Sequence, residues 1–276
     1  MKSRPLFART RYVSGCVLAA ALAVAPGLLA QSKRPNPRSK LFVASVAGES
    51  QINRGEKIEA MTLQSAYSAE GSIIETKPKA TNALVYSNGT GIFFDADTRL
   101  EVTKFIQEPF TPNRNDLEIE PSVSQTDALL SRGTIGLCTG RLVAGSSMLY
   151  HTALGSVSMQ SGKVVIESGD EESRISVLDG QGLVRVGALD LGGQVVNRGE
   201  QAIIHRGANR ITVQPIPANE RSLLDEKVFA ACTARKTVFF ETRAAEDGAA
   251  SEIVAVPVVP AELPVKVTVS PASLPR

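Results

Sequence analysis

Ala83-Leu84-Val85-Tyr86-Ser87-Asn88-Gly89-Thr90-Gly91-Ile92-Phe93-Phe94 decides the fold class. An apolar run leads into Ser87-Asn88-Gly89-Thr90, and a second apolar run leaves it. Two β-type runs flanking Asn-Gly read as a hairpin, because Asn-Gly supplies the positive φ angles of a type I′ turn. The same phrase recurs downstream. Val157 and Met159 precede Ser161-Gly162, and Val164-Val165-Ile166 follow. Ile175, Val177 and Leu178 precede Asp179-Gly180, and Leu183-Val184-Arg185-Val186 follow. Val195-Val196 precede Arg198-Gly199-Glu200, and Ala202-Ile203-Ile204 follow.

Gly162, Gly180 and Gly199 are eighteen and nineteen residues apart, with two short runs in each interval. Such spacing suits coiled or stacked β layers. An antiparallel sandwich with regular turns produces it equally well. Residues 41–218 are therefore expected to form one all-β domain, β-solenoid-like or a stacked β-roll or sandwich of short strands. Residues 106–128 carry Pro109, Pro112 and Pro121 and are expected to be a long loop. Character changes after Pro215 and Pro217. Residues 219–246 read as a helical extension, with Ser222 and Asp225 as a capping box. Leu224, Val228, Ala231 and Cys232 share one face of it. Val238-Phe239-Phe240 either ends that helix or forms a docking strand. Residues 247–276 are a Pro/Val-rich tail, expected to be extended, with valine runs able to add a strand to something.

The first thirty residues carry a destination. Lys2, Arg4, Arg9 and Arg11 form a basic head without an acid. An apolar run from about Val17 to Leu29 follows, broken by Pro26-Gly27 and closed by Ala30. That order reads as a secretory signal peptide over residues 1–30. The expected location is periplasmic or secreted. The competing reading is an uncleaved anchor, since Tyr12 to Ala30 comes close to the about twenty residues that span a bilayer. Cys16 precedes the apolar run, the wrong order for a lipid-modified cysteine. Residues 31–40 are a basic linker with Lys33, Arg34, Arg38 and Lys40, and residues 12–40 are the candidate membrane contact. Loss of the four basic residues of the head moves the net charge from +2 to −2. A near-neutral chain makes no electrostatic case for nucleic acid. Cys138 and Cys232 then remain, either as a disulfide or as two separate buried thiols.

Residue types that carry chemistry are scattered. His151 and His205 lack a partner at metal-ligand spacing and read as surface or strand histidines. Asp95 and Asp97 lie on one side of an extended segment, and with Asn88 they suggest calcium. A calcium loop needs six or more oxygens on a shaped turn, so the better reading is a solvated β edge. Gly169 to Ser173 is an acidic, solubilising turn. Gly145-Ser146-Ser147 and Gly155-Ser156 do not form a nucleophile elbow, and neither a P-loop nor a dinucleotide fingerprint occurs. Trp is absent and aromatics make up 5% of the chain, which disfavours an aromatic-lined sugar cleft. The expectation is a non-enzymatic protein without catalytic, cofactor or metal residues.

The order of these β segments resembles the FecR domain, the extracytoplasmic β module of iron-responsive signalling regulators. Ala83 to Thr90 with Ile92 to Val102 looks like its strand, turn and strand. Leu130 to Gly136 and Tyr150 to Val157 look like its next two segments. Ser176 to Val186, then Val195 through Gln201, looks like its last. Gly71-Ser72-Ile73-Ile74-Glu75-Thr76 is similar to an upstream run. The likeness covers about residues 45–205. It implies an all-β domain outside the cytoplasm that acts by protein contact and without catalysis. Such regulators carry a cytoplasmic N-terminal domain that binds a sigma factor, whereas about a dozen residues precede the hydrophobic segment here. Gln160-Ser161-Gly162-Lys163-Val164 also departs from the family's "G-T-x-F".

The first reading is therefore an exported FecR-like binding or scaffolding module with a protein partner in the cell envelope. The second is a membrane-anchored signalling regulator of this type without the sigma-binding domain. The third is a polysaccharide-binding or polysaccharide-acting β protein, which as an enzyme needs two acids about 5–10 Å apart.

Overall fold

The structure, a computed structural model, describes residues 36–55, 57–111, 117–186, 192–208, 210–244 and 251–258. The expected signal peptide lies outside them. Strands dominate: β1 (Lys40–Ala47), β2 (Ser50–Asn53), β3 (Ile58–Ala60), β4 (Ala66–Ser68), β5 (Ile73–Thr76), β6 (Thr81–Tyr86), β7 (Gly91–Phe94), β8 (Arg99–Gln107) and β9 (Ser124–Thr139) come first. Then follow β10 (Ser147–Thr152), β11 (Gly155–Ser168), β12 (Glu172–Val186), β13 (Gln194–Asn197), β14 (Glu200–His205) and β15 (Thr212–Pro215). Helix α1 (Ala218–Ala234) and a 3-10 turn (Arg235–Thr237) lead into β16 (Val238–Arg243) and β17 (Glu252–Pro257). The all-β class with a C-terminal helix holds.

The first fifteen strands form one mixed sheet, with β9 at its centre. The first half of β9 pairs with β8 and, in parallel, with β10. Its second half pairs with β7 and β11. The exchange of neighbours falls at Gly133, whose φ of 90° and overlap with Thr98 for any added Cβ reserve the position for glycine. Across this corner the strands share one core, running from Leu41 and Ile52 through Leu100, Ile135 and Tyr150 to Val184 and Ile204.

The hairpin of residues 83–94 is present, but its turn is of another type. Tyr86 N–H bonds Thr90 O, and Gly89 N–H bonds Tyr86 O. Gly89 has φ 83°, while Asn88 does not have a positive φ. This is a three-residue loop with glycine as the bulge, not type I′. The Asn88 side chain instead accepts from Thr90 N–H at 3.1 Å, which stabilises the loop locally.

Gly162 and Gly180 are not turns. β11 and β12 each run straight through them, and the two glycines face each other in the β11–β12 register. A bulge interrupts the pairing there. Thr139 of β9 pairs with Gly162, and Gly199 donates to Val177 O at 2.8 Å between β13 and β14. The spacing thus joins a bulge shared by β11 and β12 at Gly162 and Gly180 to a turn between β13 and β14 at Gly199, where the turn reading holds.

Two other segments are corrected. Residues 106–128 contain the end of β8 and the start of β9, so the irregular insert is shorter; residues 112–116 lie outside the described set. Ser124, Thr126 and Ala128 alternate inward, a period-two pattern that the neighbouring prolines disguised. Arg38 to Lys40, expected as linker, join the sheet: Arg38 bridges Ile106, and Ser39 Oγ donates to Phe105 O at 2.7 Å.

The C-terminal segment covers the outer face. α1 begins at Ala218, with Pro217 at the N-cap and no side-chain cap bond. Ser222 and Asp225 fall inside the helix and do not cap it. Leu224, Val228 and Ala231 are buried as expected. The helix ends at Ala234 because Val238-Phe239-Phe240 takes the docking-strand alternative. The tail supplies its partner: Glu252–Pro257 pairs with β16 from Arg243↔Glu252 to Val238↔Pro257. The remaining tail lies outside the described residues. The β16–β17 ribbon packs Val238, Phe240 and Ile253 on Phe42, Ala83 and Val85. α1 packs Leu224 and Val228 on Val165 and Leu178. Both faces of β6 and of the Val164-Val165-Ile166 stretch of β11 are therefore dry, which explains their short continuous apolar runs.

Two core tyrosines stand out. Tyr86 and Tyr150 are fully buried, and neither hydroxyl has a protein partner. Burial pushes both phenols far above their ordinary pKa, with each kept neutral. An unbonded buried hydroxyl costs about 1–3 kcal/mol. Tyr86→Phe keeps the ring contact with Phe105 (centroids 5.1 Å apart) and is expected to raise unfolding free energy by about 1 kcal/mol. Urea melts check this; a loss of stability would show that the hydroxyl is bonded in solution.

Candidate functional site

Residues of the insert, the first hairpin turn, β8 and β9 form a connected polar buried seam. The turn after β6 contributes Ser87 and Asn88, β8 ends in Gln107, the insert contributes Glu120, and β9 opens with Ser124. All five are buried. Ser87 Oγ donates to Gln107 Oε1 at 2.6 Å, and Gln107 Nε2 returns a bond to Ser87 O at 3.3 Å. Asn88 Nδ2 donates to Ser124 Oγ at 3.1 Å, and Ser124 Oγ donates to Glu120 Oε2 at 2.8 Å. Glu120 Oε1 accepts from Val143 N–H at 2.8 Å. Asn88 is therefore a structural residue and lies at the opposite end of β7 from Asp95.

Glu120 is 5% exposed. Burial lifts its carboxyl above the usual range, and the donors Ser146, Ser124 and Val143 only partly offset this. The folded state then holds the proton more tightly than the unfolded chain. Glu120's contribution to stability is present below the unfolded pKa, about 4.3, and is lost as pH rises through the raised folded value. Glu120→Gln is expected to flatten the fall in stability between about pH 4 and pH 7. Denaturant melts at both ends of that range check it; an unchanged fall would place the titration elsewhere.

A cavity of about 190 Å³ opens beside this seam. Val85, Phe110, Leu117, Val238 and Phe240 give it apolar walls, and Arg235 and Glu120 also line it. Arg235 follows the last residue of α1. Its Nε donates to Gly89 O at 2.6 Å, a terminal nitrogen bonds Leu117 O, and another lies 3.7 Å from Cys138 Sγ.

Cys138 and Cys232 are joined in a disulfide, with Cα atoms 5.2 Å apart. It fixes α1 to the outer face of β9. Glycines let the helix approach: a Cβ at Gly91 would overlap the Ala231 carbonyl, and one at Gly136 would lie 2.9 Å from Lys227 O. Lys227 pairs with Asp95, and Arg174 pairs with Glu220 at 3.2 Å. Asp95 is thus a helix anchor rather than a solvated edge. Asp97 sits at φ 53° on the following turn.

The histidines each have one carboxylate neighbour. His151 Nε2 lies 3.1 Å from Asp127, and His205 Nδ1 lies 3.4 Å from Glu172. They are not brought together with each other or with Asp95. Among the described residues no three His, Cys, Asp or Glu side chains cluster as metal ligands. Gln107, Glu120 and Arg235 were not legible as a group, because they come from three separated segments: the end of β8, the insert and the end of α1. Gly91 carried a signal: a glycine inside a strand pattern marks a close backbone approach.

No family model and no curated protein matches the chain. Among solved structures it is similar to two crystal structures of a "putative anti-sigma factor" from Parabacteroides distasonis. Identity is 16% in both, with TM-scores of 0.40 and 0.41. Each match covers 54% of this chain and 62% of the other, so the chain spans less than two thirds of their length.

On the remaining surface, β4 and β15 end the strand order and each pairs on one side only. Pro215 blunts β15, whereas β4 has no proline and lies near Leu63, which is 59% exposed.

Proposed function

We propose that this chain is an exported, non-enzymatic β module of the FecR-like regulatory type, acting by contact with a protein partner in the cell envelope. The disulfide between Cys138 and Cys232 is the observation that supports it best. Structural disulfides persist in oxidising compartments and are rare in the cytosol. This agrees with the basic head and apolar run of residues 1–30. The partner's strand adds to the β4 edge by backbone hydrogen bonds. The tail is less suited to that role, because Glu252–Pro257 is already paired with β16.

Cell fractionation with intact mass under non-reducing conditions tests this reading. The expected species is soluble in the periplasm, begins at Gln31 and is two hydrogens lighter than the dithiol. A membrane-bound species that keeps Met1 would move the assignment to the anchored regulator. A cytoplasmic species with free thiols would overturn export.

A further inference from the structure

We propose that the cavity lined by Phe110, Leu117 and Phe240 binds a small monocarboxylate with an apolar body, its carboxylate held by Arg235. Three observations meet there. The walls are apolar, formed by Val85, Phe110, Leu117, Val238 and Phe240. Among the described residues Arg235 is the one cation of the lining, is half-buried and has no carboxylate partner. Its bonds go to the neutral acceptors Gly89 O and Leu117 O, with Cys138 Sγ nearby.

A guanidinium half withdrawn from water, with no anion beside it among the described residues, is costly. The C-terminal end of α1 repays a part through its dipole. The two carbonyls fix the plane of the fork and leave further N–H groups free, the arrangement in which arginine takes a carboxylate by paired bonds. Burial also lowers the Arg235 pKa, in keeping with a desolvated cation. Glu120 lines the same cavity and accepts from Ser124 and Val143, but among the described residues it forms no ion pair with Arg235. It therefore closes the polar end and does not neutralise Arg235.

The volume sets the size. A cavity of about 150 Å³ takes up benzene, so about 190 Å³ admits a ring or a short branched chain with a few further atoms. A long-chain fatty acid does not fit inside it. The ligand class follows from the cavity alone and is independent of whether the chain is exported.

Titration calorimetry on the purified protein, disulfide intact, compares 3-phenylpropionate with 3-phenylpropan-1-ol. The acid is expected to bind about tenfold or more tighter than the alcohol, because only it engages the fork. Arg235→Gln should bring the acid to the alcohol's level. Arg235→Lys keeps the charge but loses the fork, and serves if the glutamine variant fails to fold; most of the preference should disappear. Absence of binding by both compounds, equal binding by both, or acid affinity unchanged in Arg235→Lys would each overturn the proposal. A purely structural arginine would also show itself in melting curves: both variants would melt lower, and the acid would not raise the wild-type melting temperature.

Discussion

Replacing Cys138 and Cys232 together by alanine is expected to lower the unfolding free energy by about 4 kcal/mol. The bridge closes a sequence separation of 94 residues, and a loop of that length restricts the unfolded chain by about 4–5 kcal/mol in the chain-entropy view. The effect should act mostly through the unfolded state, because α1 keeps other anchors. Lys227 still meets Asp95, Arg174 still meets Glu220, and Arg235 still meets Gly89 O. Wild-type protein in strong reductant should fall to the stability of the double variant, since both lack the same constraint. Paired guanidinium melts measure this. A difference below about 1 kcal/mol would show that the denatured chain is already restricted, or that the bond is strained.

Gly91→Val should be the most damaging single substitution on the outer face, at about 3 kcal/mol or more. Valine suits a strand, so local propensity argues for it. Sterics argue against it more strongly. The new Cβ would overlap the Ala231 carbonyl oxygen and press on Arg235 Cγ at 2.7 Å. Neither strand nor helix backbone moves easily, and overpacking alone costs about 1–3 kcal/mol before any helix displacement. Gly89→Ala is the control. Gly89 has φ 83° but open space around an added Cβ. Only the conformational term applies there, about 1–2 kcal/mol. The two variants therefore separate close approach from backbone strain. Limited proteolysis adds a readout: α1 should become cleavable in Gly91→Val and stay protected in Gly89→Ala. Equal protection in both would mean that the helix is not seated on Gly91.

The strands were legible where a local rule applied. The apolar runs on either side of Gly180 mark the two halves of β12, and Asn88-Gly89 placed the first hairpin although not its turn type. What failed was the reading of glycine as a turn. Gly162 and Gly180 have positive φ as a turn would require, but the strands continue because long pairings on both sides hold them. Sequence spacing cannot tell a turn from a bulge in mid-strand. The ribbon of β16 and β17 was half legible: the valine run predicted a strand, and its partner lay within the same chain. The polar seam was invisible for another reason. Ser87, Gln107, Glu120 and Ser124 are ordinary surface types whose burial depends on the insert folding back on the hairpin. Cysteine count alone left the pairing open, and only the docking of α1 decides it.

The bulge at Gly162 and Gly180, through which β11 and β12 both run, has a consequence for how such a domain can change over evolution. It acts as a crease written in the backbone, so the bend of the long strands does not depend on which side chains fill the interior. Val164, Ile166, Val177 and Val184 lie on either side of the crease and belong to the shared core. Aliphatic exchanges of similar volume at such positions alter packing by small amounts while the crease keeps the strands aligned. Sequences can then drift widely around a few fixed glycines and retain the same shape, which makes the domain's architecture more durable than any of its motifs.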